Sequence, residues 1–148
     1  MNAKELLLKQ SREAFAGDDE MSLLVALKGL TQDEASWKPN SETGTIEEIV
    51  HHLAWCKVWY CKQAFGDCDL EDDVAVGKPS GTLEWLEKAQ QHLERCLAAV
   101  SLEELDRPVP TRFHGESCAH LFWILLMHDL CHGGQIQMIR REFRDRAG

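Results

Sequence analysis

Two histidines four residues apart, His128 and His132, stand in the segment Met127-His128-Asp129-Leu130-Cys131-His132-Gly133-Gly134-Gln135-Ile136. From Ser117 to Phe143 the apolar residues recur with helical spacing. At about 100° per residue, Leu121, Leu125, His128, His132 and Ile139 fall within one quadrant of the helix surface. Two imidazoles one turn apart on a core-facing stripe are costly unless something satisfies them. Neighbouring hydrogen-bond partners would do so. A divalent metal would do so as well, since i,i+4 spacing lets one helix offer two nitrogens to one ion.

Such an ion needs a further ligand, and His51 and His52 lie side by side in the second helical segment. With Ile46 as the reference direction, Val50, Leu53, Tyr60 and Ala64 lie within about 40° of it. His51 points about 140° away, with Glu47, Trp55, Val58 and Lys62, toward solvent or a partner subunit. His52 lies about 120° away on the other flank, between Trp59 and Cys56. Periodicity therefore favours His52 over His51 as a group lining a cavity. Three nitrogens from two helices make a catalytic type of site, with open positions for water or substrate. Neutral imidazole suits zinc and nickel, and also iron and copper. Asp129, Gln135 and Gln63 are candidate acceptors for the second ring N–H of a ligating histidine. Asp129 points away from the pair and is expected in solvent. Gln135 shares the stripe of His128, placed either to hold water near a metal or to bond between helices. His92 is expected to be exposed, His114 sits in a loop, His120 is turned about 80° from His128, and Cys131 is a minor candidate beside His132.

The elements that must position these groups are helical. A first segment runs from about Ala3 to Leu30, with Gly17-Asp18-Asp19 as the place of a kink or break. Thr31-Gln32-Asp33-Glu34 is a capping box that starts a short turn. Thr45-Ile46-Glu47-Glu48 is another, opening a second helix that runs to about Phe65 and stops near Gly66. Residues 66–81 are acidic and rich in Gly and Pro, a surface loop. A third helix covers about Thr82 to Val100, a connection with a turn at Ser101-Leu102-Glu103-Glu104 follows, and a fourth runs from about Glu116 to Phe143. No segment alternates like a strand. An all-α bundle of four helices follows, one domain over residues 1–148, its two long connections crossing over the bundle.

Composition narrows the partners. The chain has 148 residues, 44% of them apolar, and 16 basic against 25 acidic residues give a net charge of −9. Nucleic acid, which requires a basic footprint, is excluded as the main partner. Arg140, Arg141, Arg144 and Arg146 are read as cations at the negative end of a helix dipole. The longest apolar stretch, Leu121 to Met127, is seven residues, far short of a membrane span. The first thirty residues show no signal pattern, so the expected compartment is the cytoplasm. The six cysteines form no C-x-x-C pair and read as buried thiols. Trp55, on the outer side of the second helix with Val58 and His51, predicts a homodimer.

A histidine within Ile49-Val50-His51-His52-Leu53-Ala54, together with His128-x-x-x-His132-x-Gly134-Gln135-Ile136, resembles the DinB-like superfamily, which includes the YfiT-like proteins. The likeness spans nearly the whole chain in segment order. It implies a four-helix bundle in which the histidine preceding Leu-Ala completes a three-histidine metal site, here His52, His128 and His132. It also implies a tight helix contact at Gly134. For activity it implies a small-molecule substrate, zinc or nickel, and S-transfer from a low-molecular-weight thiol in detoxification or stress response. A metal-dependent hydrolase and a non-catalytic bundle stapled by its metal are the alternatives. A metal with an open position can bind a thiol and lower its pKa, or activate water.

Overall fold

The structure is a computed structural model that describes residues 1–18, 20–66, 70, 79–109 and 117–146. Its elements are α1 (Ala3–Ala16), α2 (Leu23–Leu27), α3 (Gln32–Ser36), α4 (Ile46–Phe65), α5 (Pro79–Ala99), a 3-10 turn (Glu103–Asp106) and α6 (Cys118–Asp145). The all-α expectation holds, and no strand occurs among the described residues.

Local chemistry sets most helix ends. The Asn2 side chain accepts from the Glu5 N–H while Glu5 accepts from the Asn2 N–H, and the same reciprocal box forms at Thr31/Glu34 and Thr45/Glu48. Ser117 opens α6 by accepting from the His120 N–H. The expected first segment is divided. Helix α1 ends where the Gly17 N–H bonds the Glu13 carbonyl, and any Cβ at residue 17 would come within 2.5 Å of that oxygen. Helix α4 stops at Gly66, whose φ of +84° disfavours any side chain. Helix α5 starts at Pro79, a turn earlier than expected. The rest of the predicted acidic loop, apart from Gly66 and Leu70, lies outside the described residues, so its relation to the site is not described.

The four long helices run down, up, up and down in chain order. Lys4 of α1 bonds the Ala98 carbonyl and Ser11 bonds Gln90, so α1 is antiparallel to α5. Lys57 and Phe65 of α4 face Asp129 and Phe122 of α6, so these two are also antiparallel. His51 packs on Trp85, while Cys61 lies near Cys96, so α4 and α5 are parallel. One core cluster gathers Leu23, Leu27, Ile46, Leu53, Leu86 and Ile136, and a second gathers Tyr60, Leu93, Leu97, Leu121, Phe122 and Leu125.

Two expectations fail for tertiary reasons. Arg140 does not merely sit at a helix dipole. It is buried, pairs with Glu34 through Nε and Nη2 at 3.2 and 3.3 Å, and donates from Nη1 to the Ala26 and Lys28 carbonyls at 2.8 Å each. It thereby closes the open end of α2 against α6. The close approach assigned to Gly134 belongs to its neighbour. Gly134 is exposed and a Cβ there would meet nothing within 4 Å, whereas one at Gly133 would touch the Met21 carbonyl at 3.5 Å.

Candidate metal centre

Helices α4 and α6 bring His52, His128 and His132 together. His128 Nε2 stands 3.2 Å from His52 Nε2 and 3.0 Å from His132 Nε2. Hydrogen bonds among the three rings cannot satisfy all three atoms at once. Each Nε2 carries either one proton or one lone pair, so the central His128 nitrogen cannot make two full bonds to its neighbours. Three lone pairs aimed at one cation leave nothing unsatisfied. Two nitrogens bound to one tetrahedral ion at about 2.0–2.1 Å lie about 3.3 Å apart, near the observed separations.

The surroundings favour the ligating state. His132 Nδ1 meets Gln135 Oε1 at 2.8 Å. Since the amide oxygen only accepts, the ring proton sits on Nδ1 and the Nε2 lone pair faces the cluster. Gln135 therefore holds the His132 ring rather than bridging helices. Burial, followed by the neighbouring His132 and His51 rings, holds the His52 imidazole below the usual histidine range, which keeps it neutral. His52 is exposed at one side while His128 and His132 are half-buried, so the cluster opens to solvent.

Cys56 completes the neighbourhood and was missed at the sequence level. Its Sγ lies 3.7 Å from His52 Nε2, and it shares a donor cluster with His52 and His128. The signal was present as His52-x-x-x-Cys56, the same i,i+4 spacing used for the histidine pair. Burial pushes the Cys56 thiol up to about 11, against a smaller opposing effect of Lys57. Among the described residues the exposed cysteine is Cys131, the minor candidate beside His132.

Behind the cluster lies a buried ion pair. Lys57 Nζ donates to Asp129 Oδ2 at 2.7 Å, and both side chains are 1% exposed. The expectation that Asp129 faces solvent is overturned. Its flank of α6 packs on α4, and the carboxylate is stabilised there by Lys57. Burial pushes the Asp129 carboxyl up, while the charge and hydrogen bond of Lys57 pull it down. Its Oδ1 has no hydrogen-bond partner among the described residues.

The parallel α5 corrects the outer flank of α4. His51 does not project into solvent but packs on Trp85 with ring centroids 5.3 Å apart. Val58 and Glu47 are buried too, and Glu47 lines a cavity of about 470 Å³ with Leu27, Val50, Thr82 and Leu83. Of the expected outer residues, Trp55 stays exposed, stacked on Trp59 at 5.8 Å. Gln63 lies beside that pair, not at the histidines. His92 is half-buried against Cys96 rather than exposed, His120 lies beside Trp123, and His114 and Cys68 fall outside the described residues.

No described helix is long and apolar enough to cross a membrane. No curated protein and no solved structure matches the chain. A family profile described as the DinB superfamily does match, over residues 18–136, a span that holds all three histidines and Gln135. The chain belongs to the DinB superfamily.

Proposed function

We propose that His52, His128 and His132 hold one divalent ion, zinc or nickel, and that the protein is a metal-dependent S-transferase joining a low-molecular-weight thiol to an electrophilic small molecule in detoxification or stress response. The observation that carries the metal is the meeting of the three rings, with His128 Nε2 at 3.2 Å from His52 Nε2 and 3.0 Å from His132 Nε2, an arrangement that hydrogen bonds among the rings cannot fully satisfy. When bound, the ion supplies Lewis acidity that favours the thiolate form of a thiol reaching it.

The chain's own groups support an external thiol. Burial pushes the Cys56 thiol up to about 11 in the metal-free cluster, so the chain holds no preformed thiolate there. Asp129, the carboxylate next to His128, is committed to Lys57 and is badly placed to serve as a general base for water. Gln135 orients His132, and the solvent-exposed side at His52 leaves room for a thiol and an electrophile to approach. In the transfer a C–S bond forms, the electrophile's leaving group departs, and the thiol proton passes to solvent. The exposed Trp55, stacked on the partly buried Trp59, supports association as a homodimer. A monomeric mass across micromolar concentrations would remove that part.

The test begins with metal content of untagged protein by plasma mass spectrometry. One divalent ion per chain should disappear in His52→Ala and in His128→Ala and persist in His51→Ala. Loaded protein is then assayed on electrophiles with and without an added thiol. Thiol-dependent turnover is expected. Turnover without thiol would replace the transferase by a hydrolase, and a bound ion with no turnover would leave a stapled bundle. No ion tied to His52 and His128 would overturn the proposal.

A further inference from the structure

A second group of soft donors lies between α4 and α5, away from the three histidines. Cys61 comes from α4, and His92 and Cys96 come from one turn of α5. The α5 pair repeats the H-x-x-x-C spacing of His52 and Cys56, so both donors lie on one face of their helix. One donor atom from each residue lies within 4.8 Å of the other two. The His92 Nε2 to Cys96 Sγ distance is 3.4 Å. Nitrogen and sulfur sharing one tetrahedral ion, at about 2.05 and 2.3 Å, stand about 3.6 Å apart, so this edge already has the length of a coordination edge.

We infer that Cys61, His92 and Cys96 form a separate binding site for one thiophilic d10 metal ion, zinc(II) or copper(I). Two thiols and an imidazole with no carboxylate select soft or borderline ions over magnesium or calcium. Binding releases two thiol protons to solvent as two sulfur–metal bonds form. Cys61 is fully buried while His92 and Cys96 are half-buried, so the site is anchored in the core yet reachable from the surface. Cys61 lies nine residues along α4 from His52, about 13 Å at 1.5 Å per residue, too far for one ion to serve both clusters. The two helices run parallel, and a bridging ion would clip them directly.

Cadmium(II) is the probe, titrated anaerobically into reduced, metal-free protein carrying Cys56→Ala. That background leaves the three-histidine cluster without its neighbouring thiol. A thiolate-to-cadmium charge-transfer band should saturate at one ion per chain and survive His128→Ala. Cys96→Ser and His92→Ala should each weaken it by about tenfold or more, since even groups that merely support a ligand cost 10–100-fold. Both positions are half-buried, and an unchanged helical circular dichroism spectrum separates lost binding from lost folding. Metal content of untagged protein then decides between zinc and copper. Absence of the band, its loss in His128→Ala, or its persistence at full affinity in His92→Ala and Cys96→Ser would overturn the site. A Cys61–Cys96 disulfide in protein whose thiols were blocked at cell lysis would also overturn it, in favour of a redox pair. The triad can fail its own test while this site passes, and the reverse.

Discussion

The Lys57–Asp129 pair gives a direct test of how α4 and α6 are held behind the histidines. At 2.7 Å, the gross attraction at an effective dielectric of about 20 is about 6 kcal/mol. Burying each ion costs several kcal/mol, so the pair as a whole comes out near balance. Removing one partner is different, because the other charge stays buried. Lys57→Met should destabilise by about 3–5 kcal/mol, leaving Asp129 without its cation. Asp129→Leu should cost a similar amount, softened slightly by the Phe15 ring, which lies 5.6 Å from the ammonium. The double variant Lys57→Met/Asp129→Leu removes both charges and also the unpartnered Asp129 Oδ1. It should return to within about 1 kcal/mol of the parent or exceed it. Urea unfolding of metal-free protein at neutral pH reads all four states. With a slope of about 2 kcal/mol per molar, each single variant lowers the midpoint by about 2 M. Because Asp129 adjoins His128, each single variant should also weaken metal uptake. Single variants within 1 kcal/mol of the parent, or a double variant whose loss equals the sum of the singles, would refute this account.

Further outcomes follow from other contacts. Gln135→Leu removes the acceptor that fixes the His132 tautomer and should lower metal affinity about 10–100-fold in chelator competition with little change in stability; unchanged affinity would show that the ring is held by other means. Burial raises the Glu34 carboxyl, but the Thr31 N–H and the bond and charge of Arg140 more than offset this, so its native pKa is lowered below 4.5. A lowered native value means the stabilisation is present above the unfolded value and fades as pH falls through the native one. The stability gap between the parent and Glu34→Gln should therefore be constant near neutrality and shrink below 4.5; a gap that widens with acid would reverse the sign. Gly134→Ala places a methyl where nothing lies within 4 Å and should stabilise by about 0.5–1 kcal/mol through helix propensity, whereas a fall in Tm would reveal a contact at that face.

Local sequence determined the helices and much of the site. The Thr31 and Thr45 capping boxes, the break at Gly17 and the stop at Gly66 act within a few residues, so they are legible without a fold. The i,i+4 pair His128/His132 and the choice of His52 over His51 followed from helical periodicity alone, and the structure brings those three rings together. Cys56 was equally legible by spacing. Tertiary structure decided what the second neighbour of each helix covers. A hydrophobic stripe assigns one inward direction, but α4 is flanked by α6 and by the parallel α5, so Glu47, His51 and Val58 lose solvent on faces that periodicity marks as outer. Buried polar groups are tolerated because their partners arrive from far along the chain: Asp129 lies 72 residues from Lys57, and Glu34 lies 106 from Arg140. No local pattern encodes such pairs, since their stability depends on a desolvation cost that exists only once the helices have packed.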